Sequence, residues 1–470
     1  MLPVPQNYSI YPSVVRSDLP SDMVIVPNER AFLMPDGMQY RLTIYGIDND
    51  EPSYYQPSCG HVVQATASGG VLRFQYIFEG EQEYLIILEM GERKLQEFTV
   101  YSLHEDLYAL RPLKGDLHGH SYRSDRQQDP AALAGHYREQ GYEFFALTDH
   151  NRYYPGGEID ETYDGVNLGV TRVLGEEVHT PQSVVHIVHV GGKHSVTELY
   201  FKHREQYESD VQQNLARVPQ SVPEKYRERY AQAMWALDRI HEAGGLAIFP
   251  HPYWRPGKSR VYNVCDEFAK ILLMSGMFDA YELVGGMGQR GNNRSVALWA
   301  DLRAEGLSIP VVGSSDVHGL PKSTFGYLFT LCFAKGNDND SIIEAVKNGR
   351  SVAVEAIGED DARQNRCYGS LRLVSYAQFL LQHYYPKLQR ICQGEGVAMR
   401  AYAMGQAGKA LIELQVEQSE LFRRQFFGLQ APELPSQAVL DFEDKWRAVH
   451  LQGPLTKGSA IDTETITRQI

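Results

Sequence analysis

The chain has 470 residues, a formal net charge of −14 and five scattered cysteines without the spacing of a metal finger. The acidic charge disfavours binding to long nucleic acids, and the cysteine pattern is typical of reduced thiols in a cytoplasmic protein. No apolar run approaches the roughly 18 residues of a membrane span and no signal peptide is evident, so we expect a cytoplasmic protein of two or three domains that does not bind membranes.

Residues 1–112 are predicted to form an all-β, sandwich-like accessory domain. Short strand-like runs alternate there with turn signals such as Pro35-Asp36-Gly37 and Ser68-Gly69-Gly70. The runs lie at residues 23–26, 40–45, 71–77, 84–88 and 98–103. Because the segment has only two histidines and no cluster of metal-binding residue types, we expect it to pack on an enzyme domain or to frame its substrate.

Residues 113–360 alternate strand-like runs with helical segments, which predicts parallel β/α units. The predicted helices lie at residues 130–140, 224–243, 295–305 and 341–348. A polar insert at 194–230 is expected either to form helices over the mouth of a barrel or to be a solvated loop. Residues 361–470 are predicted to be a helical C-terminal extension, with helices at 371–393 and 405–427.

Seven apolar runs in the central region end in residues that can hold a metal ion. The residues at or just after these ends are His118, His120, Asp125, His150, Glu177, His186, His251, Glu282, Asp316 and His318. The C-terminal ends of parallel strands converge on one face of a β/α barrel, so these residues are expected to meet there. Alternate positions of a strand face the same side, which places His118 beside His120 and Asp316 beside His318.

A set of imidazoles and carboxylates of this size is too large for one ion. It predicts two or three divalent ions of zinc, manganese or iron. Such ions lower the pKa of bound water from about 16 toward 7, so hydroxide would be available at neutral pH to attack an ester. The pattern therefore predicts a centre of two or three metal ions that can activate water.

Five motifs within residues 114–358 carry a family resemblance. They are Asp116-Leu117-His118-Gly119-His120-Ser121, Thr148-Asp149-His150-Asn151, Gly175-Glu176-Glu177-Val178, Phe249-Pro250-His251-Pro252 and Gly313-Ser314-Ser315-Asp316-Val317-His318. These motifs resemble those of the polymerase-and-histidinol-phosphatase (PHP) metallohydrolases. The resemblance implies a distorted (β/α)7 barrel with two or three metal ions and phosphoester hydrolysis, although some similar relatives hydrolyse carboxyl esters or carbamates.

Carried over position by position, the resemblance implies nine metal ligands. They are His118, His120, Asp125, His150, Glu177, His186, His251, Asp316 and His318. Two positions have alternatives, because His189 could replace His186 and Glu176 could replace Glu177. The β-branched residues after His186 and the Gly-x-Glu spacing of the motif favour His186 and Glu177.

Three ligands are also expected to take part in catalysis: Glu177, Asp316 and His318. Glu177 would bridge two ions, and a third ion near Asp125 and His150 would bind the phosphoryl oxygens. The candidate substrate-binding residues are Arg152, Arg290 and Arg294, because a planar guanidinium suits phosphate.

Residues next to these motifs are harder to assign. Lys322 is a candidate substrate-binding residue on the same grounds as the three arginines. Asp149 either orients His150 or serves as a turn residue. Glu282 is expected to face substrate rather than metal. Four histidines outside the pattern are expected to be surface or core residues: His179, His194, His203 and His241.

The leading functional prediction is a phosphoesterase for a small phosphorylated metabolite or a short nucleotide. The first alternative is a carboxyl-ester or carbamate hydrolase that uses the same metal site, since a metal-activated water can attack carbon or phosphorus. The second alternative is a non-catalytic, metal-stabilised binding protein, which an intact ligand set disfavours. The oligomeric state stays open.

Overall fold

The computed structural model describes residues 6–48, 60–180, 183–257, 259–318, 325–358 and 363–450. The chain forms two compact units, one of residues 1–2 and 105–423 and the other of residues 3–104 and 424–470. The segment 361–470, which we predicted as one C-terminal extension, is divided between the two units. Lys322 lies outside the described residues.

The unit of residues 3–104 and 424–470 contains two β-sheets. Its strands are β1 (Tyr8–Tyr11), β2 (Val14–Arg16), β3 (Pro20–Pro27), β4 (Gln39–Gly46), β5 (His61–Thr66), β6 (Leu72–Ile77), β7 (Gln82–Met90) and β8 (Arg93–Leu103). The strand orders are β1-β3-β6 and β2-β8-β7-β4-β5. Both sheets contribute to one apolar cluster, with Ile25 from the first and Ile86 from the second. The β-sandwich arrangement stays a prediction.

The unit of residues 1–2 and 105–423 is a mixed α/β fold. Its strands are β9 (Arg111–Gly119), β10 (Phe144–Leu147), β11 (Thr171–His179), β12 (His186–Val190), β13 (Leu246–Phe249), β14 (Ala280–Val284), β15 (Val311–Gly313), β16 (Leu328–Ala334), β17 (Ser351–Ile357) and β18 (Gln364–Tyr368). Its helices are α1 (Glu105–Tyr108), α2 (Pro130–Glu139), α3 (Gly157–Thr162), α4 (Val196–Lys202), α5 (Arg204–Arg217), α6 (Glu224–Glu242), α7 (Asp266–Met274), α8 (Gly288–Ala304), α9 (Asn339–Lys347), α10 (Leu371–His383), α11 (Tyr385–Ala403) and α12 (Lys409–Phe426), which runs three residues past the division. The other unit contains α13 (Gln437–His450).

The ten strands form one sheet of order β15-β14-β13-β12-β11-β10-β9-β16-β17-β18. The pairs β9–β10, β10–β11, β13–β14 and β14–β15 are parallel, whereas β12 and β16 to β18 pair antiparallel. We expected a distorted (β/α)7 barrel with parallel β/α units; the observed sheet has ten strands of mixed direction. Only residues 180–185 join β11 to β12, and this connection is too short for the crossover that parallel neighbours need.

The sheet curls into a nearly closed barrel. The Thr330 hydroxyl of β16 bonds both backbone groups of Gly313 in β15, at 3.1 Å from N and 2.8 Å from O. Ser351 of β17 donates to Val311 O at 2.9 Å, and a parallel bridge joins Gly119 to Val317. A Cβ on Gly313 would lie 2.5 Å from Phe329 O, so this close approach requires glycine.

The central strands are buried on both faces, which explains their continuous apolar sequence. In β13, Leu246 and Ile248 belong to the apolar cluster of one face, and Ala247 and Phe249 belong to the cluster of the other. The insert after β12 is helical, and its residues join the second cluster. Tyr207 of α5 packs edge-on against Trp235 of α6, with ring centroids 4.7 Å apart.

Helix α11 packs closely on α2. A Cβ on Gly396 would overlap the carbonyl oxygen of Gly135, so the two backbones approach each other at these glycines. Among the described residues, no helix is long and apolar enough to cross a membrane.

Candidate metal centre

The nine candidate ligands lie at one edge of the ten-stranded sheet. Parallel strands supply most of them near their C-terminal ends, as with His118 in β9, Glu177 in β11 and His251 just after β13. β12 runs the other way, so His186 begins its strand instead of ending one. We expected His186 to lie at the end of a strand, and this expectation is wrong. Because β12 is antiparallel to β11, the start of β12 nevertheless lies at the same edge as the other ligands.

Glu177 stands at the centre of the cluster, and its two oxygens face different imidazoles. Oε2 lies 2.8 Å from Nδ1 of His150 and 3.5 Å from Nε2 of both His118 and His120. This side chain is only 1% exposed, so water does not screen the carboxylate from these rings.

The other oxygen of Glu177 faces a second group of histidines. Oε1 lies 2.7 Å from His186 Nδ1, 3.1 Å from His251 Nε2 and 3.4 Å from His179 Nε2. A carboxylate with ring nitrogens around both oxygens has the arrangement of a bridge between two metal ions.

Asp316 adds a second carboxylate beside the first histidine group. Its Oδ1 lies 3.2 Å from His120 Nε2 and 3.6 Å from His118 Nε2. His318 lies at the rim, with 38% of its side chain exposed and Nδ1 2.6 Å from the backbone oxygen of Asp316. A carbonyl oxygen only accepts hydrogen bonds, so Nδ1 carries the proton and Nε2 keeps its lone pair.

Asp125 is the most exposed of the nine residues. Its Oδ2 lies 3.4 Å from His150 Nε2, and half of its side chain is in contact with solvent. The ring of His120 lies 4.4 Å from that of His150 between centroids. Asp125, His120 and His150 each offer one ligand atom within 4.8 Å of the others.

Several ligand atoms at this edge are buried without a hydrogen-bond partner among the described residues. They are His118 Nε2, His120 Nδ1 and Nε2, His150 Nδ1, His179 Nε2, Glu177 Oε2 and Asp316 Oδ1. Each such atom costs about 1–3 kcal/mol when left unsatisfied, whereas a bound cation would satisfy many of them together. Imidazole and carboxylate donors suit zinc, manganese and iron, so the residues fit divalent ions.

The carboxylates of Glu177 and Asp316 and the ring of His186 are held in metal-binding protonation states. At His118, by contrast, burial lowers the pKa, but the acids Glu282 and Asp316 outweigh it and raise that pKa well above its usual value. Burial raises the pKa of Glu177, but His186 and His118 outweigh it and hold that pKa well below its usual range. Burial also raises the pKa of Asp316, but His118 and His120 outweigh it and lower that pKa to about 2. Burial lowers the pKa of His186 to about 4 despite Glu177. Metal ligands must be deprotonated, and these three groups meet that condition at pH 7.

Two ligands have a strained backbone. His251 has φ 24° and Asp316 has φ 45°, in the left-handed region that non-glycine residues rarely adopt. Such conformations cost of order 1–3 kcal/mol and cluster at functional sites. Gly286 faces Asp316, and a Cβ there would lie 2.8 Å from the carboxylate oxygen Oδ2.

Two buried acids, Glu282 and Asp116, form hydrogen bonds that position residues of the ligand cluster. Glu282 bonds His118 Nδ1 at 2.8 Å and is fully buried, so the expectation that it faces substrate is wrong. Asp116 accepts from the backbone N of His118 at 3.1 Å, from Ser315 N at 3.1 Å and from Tyr137 at 3.1 Å. Asp116 thereby fixes the end of β9 relative to the turn before Asp316.

The two alternative ligands lie on the opposite face of their strands. Glu176 accepts from His189 Nδ1 at 3.2 Å, from Ser195 Oγ at 2.8 Å and from Val196 N at 2.6 Å. Glu176 thus binds the N-terminus of α4, as acidic groups often do. The structure gathers Glu177 and His186 at the ligand edge and separates Glu176 and His189 from it.

Of the two alternative roles considered for Asp149, orienting His150 or serving in a turn, the structure favours the second. Asp149 accepts from Ser121 N and Ser121 Oγ at 2.8 Å each and from Ser124 Oγ at 2.6 Å. It therefore fixes the loop that leads to Asp125.

The three predicted substrate arginines differ in their surroundings. Arg294 is engaged by Asp266, with Nε 3.1 Å from Oδ1, which leaves less of its guanidinium available for substrate. Arg290 is exposed in the first turn of α8, and Arg152 is exposed beside a cavity of about 340 Å³ that Tyr153 and Tyr154 also line. Their roles stay predictions.

Three residues near the ligands were not singled out for the site from the sequence. His179 was expected to lie outside it, but its ring stacks on His186 with centroids 3.8 Å apart. The spacing Glu177-x-His179 repeats His118-x-His120 and could have revealed it. Trp254 lies 5.6 Å from the His186 ring. Arg126, directly after Asp125, has a side chain that is only 3% exposed; no periodic pattern marks either residue.

Comparisons with known proteins found similar chains among solved structures. No family model and no curated protein matches the chain. A two-domain protein from Bacteroides vulgatus, described as containing a PHP-like metal-dependent phosphoesterase, is similar in structure at 16% identity and a TM-score of 0.36, over 56% of this chain and 76% of that one. The chain is similar to PHP-like proteins.

Two further solved structures are similar over a smaller part of this chain. A Bifidobacterium adolescentis protein described as a metal-dependent phosphoesterase has 18% identity and a TM-score of 0.31, over 45% of this chain and 89% of that one. An amidohydrolase from Chromobacterium violaceum, solved with bound sulfate, has 16% identity and a TM-score of 0.30, over 44% and 88% respectively.

Proposed function

We propose that this protein is a metal-dependent phosphoesterase that acts on a small phosphorylated metabolite or a short nucleotide. The arrangement around Glu177 carries the proposal. Its two oxygens face separate groups of ring nitrogens at 2.7–3.5 Å, which suits hydrolysis by two ions that share a carboxylate.

The same residues define where the ions would be held. His118, His120 and Asp316 would hold one ion together with Glu177 Oε2, and His186 and His251 would hold another with Oε1. A third group consists of Asp125, His120 and His150. When bound, divalent ions supply Lewis-acid polarisation of the ester oxygen and a water of lowered pKa.

The chain's own groups prepare this site before substrate arrives. The carboxylates of Glu177 and Asp316 are ionised at neutral pH. Glu282 fixes the tautomer of His118, and the backbone oxygen of Asp316 fixes that of His318. Preorganised groups of this kind need little rearrangement during the reaction. The net charge of −14 favours a small substrate over a long polyanion.

The test combines metal analysis with a panel of esters. The full chain, loaded with Mn²⁺ or Zn²⁺, is assayed on p-nitrophenyl phosphate, bis-p-nitrophenyl phosphate, naphthyl acetate and an aryl carbamate. We expect the phosphate esters to be hydrolysed fastest and inorganic phosphate to inhibit. Faster hydrolysis of naphthyl acetate or the carbamate would contradict the proposal in favour of the rival hydrolase.

A matched pair of variants links activity to the bridging carboxylate. Glu177→Gln should lose bound metal and lower kcat at least 100-fold, since it weakens a shared ligand. Glu176→Gln changes the neighbouring buried acid on the opposite face and should keep the metal content, although it weakens the cap of α4. Retained activity in Glu177→Gln with confirmed low metal content would refute the mechanism.

A further inference from the structure

Arg126 has an unusual environment for a cation. Its side chain is only 3% exposed, and its Nε and Nη2 atoms are buried without a hydrogen-bond partner among the described residues. The guanidinium carries five N–H donors that normally find acceptors. Leaving charged donors unsatisfied in a buried place is costly, so this side chain has capacity for a further acceptor.

The neighbouring acid does not use that capacity. Arg126 Nε lies 3.3 Å from Asp125 Oδ1, but the contact is not a hydrogen bond, because Nε remains without a partner. The other oxygen of Asp125 faces His150 Nε2 at 3.4 Å. Asp125 is therefore directed toward the ligand cluster, and the arginine stands beside it with free donors.

The loop around Arg126 is held in place by hydrogen bonds. The backbone N of Arg126 donates to Ser121 O at 3.2 Å. Ser121 and Ser124 are in turn fixed by the buried carboxylate of Asp149. The loop is anchored next to the candidate ligands, so the guanidinium is held beside them.

The guanidinium keeps its charge at neutral pH. A guanidinium stays protonated in proteins, and the carboxylates that act on this one are those of Asp125, Asp316, Glu177 and Asp149. Bound divalent ions would neutralise the first three of these acids, and Asp149 already accepts hydrogen bonds from Ser121 and Ser124. An anionic substrate would then be the remaining partner for the arginine.

We propose that Arg126 binds an anionic oxygen of the substrate and makes this site selective for phosphomonoesters over neutral esters. The planar fork of arginine matches two phosphate oxygens, which a lysine ammonium cannot do. This inference rests on the proposed phosphoesterase function and adds a residue that fixes the charge of the substrate.

The rival role for Arg126 is structural. In that case it would only hold Asp125 in place for a metal ion. Its removal would then lower metal content and affect every substrate equally. Substrate selectivity and metal content therefore separate the two roles.

The experiment uses the full chain with Arg126→Met, Arg126→Lys and the control Arg123→Met. Arg123 lies in the same loop but is exposed and paired with Glu158 at 2.7 Å. Binding of inorganic phosphate is measured by calorimetry with and without Mn²⁺. KM and kcat are measured on p-nitrophenyl phosphate and naphthyl acetate, together with metal content and thermal melting.

We expect Arg126→Met to weaken phosphate binding and raise KM for p-nitrophenyl phosphate about 10- to 100-fold, the range for a lost charged hydrogen bond. The kinetics on naphthyl acetate and the metal content should change less than about 3-fold, as should all values for Arg123→Met. Arg126→Lys should recover only part of the affinity. If Arg126→Met does not fold, the same split in Arg126→Lys supports the proposal.

Equal losses on both substrates, or unchanged phosphate binding in a folded variant, would overturn the role of Arg126. That result would leave the proposed function intact as long as the unmodified protein hydrolyses p-nitrophenyl phosphate. If the unmodified protein neither hydrolyses phosphate esters nor binds phosphate, the proposed function fails and this inference fails with it.

Discussion

Glu282 and His118 form a hydrogen bond of 2.8 Å between two fully buried side chains. The carboxylate accepts from Nδ1 of His118, and Nε2 faces Glu177 and Asp316 at 3.5 and 3.6 Å. Burial lowers the pKa of His118, but Glu282 and Asp316 outweigh it and raise that pKa well above its usual value, so Nε2 is protonated without a metal ion. A metal ion bound among these carboxylates would replace that proton and accept the Nε2 lone pair. The pair therefore sets His118 as a metal ligand through Nε2.

Glu282→Gln should weaken binding of the ion held by His118 about 10- to 100-fold, the usual effect of removing a partner that orients a metal-bound imidazole. Affinity is measured by competition of Zn²⁺ between the protein and a fluorescent chelator. Unchanged affinity would mean that His118 is oriented without its partner.

Gly285→Ala tests the same relationship without changing the acid. A Cβ at this position would overlap Glu282 Oε1, so the carboxylate must move and the metal affinity should fall. Gly157→Ala is the matched control, because nothing lies within 4 Å of its added Cβ. Equal metal affinity in Gly285→Ala and Gly157→Ala would contradict this geometry.

His179→Phe should lower the number of bound ions, or the affinity for one of them. The change keeps an aromatic ring to stack on His186 but removes the Nε2 atom that lies 3.4 Å from Glu177 Oε1. Elemental analysis after dialysis at fixed free Mn²⁺ measures the effect. His241→Phe serves as the control, since that exposed histidine contacts Asp279 in another region; the same metal content in all three proteins would exclude His179 as a ligand.

The sequence predicted an α/β fold and the edge at which the ligands meet, because strand ends are visible as apolar runs followed by polar residues. It did not predict the direction of β12, although the short connection at 180–185 contains that information. The three strands added by β16 to β18 were also absent from the prediction. These strands follow the last candidate ligand in the chain, so no ligand residue marks their ends.

Individual side chains in the site were harder to predict than its location. Glu282 ends a strand like a ligand does, but only the packed structure shows that its carboxylate bonds His118. Arg126 lies in a loop without periodic sequence, and tertiary packing alone buries it. Residues that act through partners distant in the chain leave no local pattern to read.

Glu395→Gln should destabilise the unit of residues 105–423 by about 3–5 kcal/mol, the usual cost of removing one partner from a buried ion pair. Arg138 Nε lies 2.5 Å from Glu395 Oε2, and their side chains are 2% and 0% exposed. Urea unfolding followed by tryptophan fluorescence measures the change. Asp160→Asn removes the exposed partner of Arg172 and should cost at most about 1 kcal/mol; equal losses would argue against burial as the cause.

Lys114 makes the stability of the same unit depend on pH. Its ammonium donates to Gln140 O at 2.8 Å and lies 4.5 Å from the centroid of the Phe329 ring. Burial, followed by the charge of Arg363, lowers the pKa of Lys114 to about 7. In the unfolded chain the pKa of lysine is about 10.4, so between these values the unfolded chain binds one more proton than the folded chain.

Stability must therefore rise with pH across this window, because the state that binds more protons is favoured at lower pH. We expect the melting temperature of the unmodified protein, relative to that of Lys114→Met, to increase between about pH 7 and pH 10. Below about pH 7 the difference between the two proteins should be constant. Lys335→Met, the control, removes an exposed lysine paired with Glu344. The difference in melting temperature between the unmodified protein and Lys335→Met should stay constant over the same pH range. Parallel melting profiles for the unmodified protein and Lys114→Met would mean that the buried lysine keeps its proton throughout, held by the carbonyl of Gln140 and the neighbouring ring.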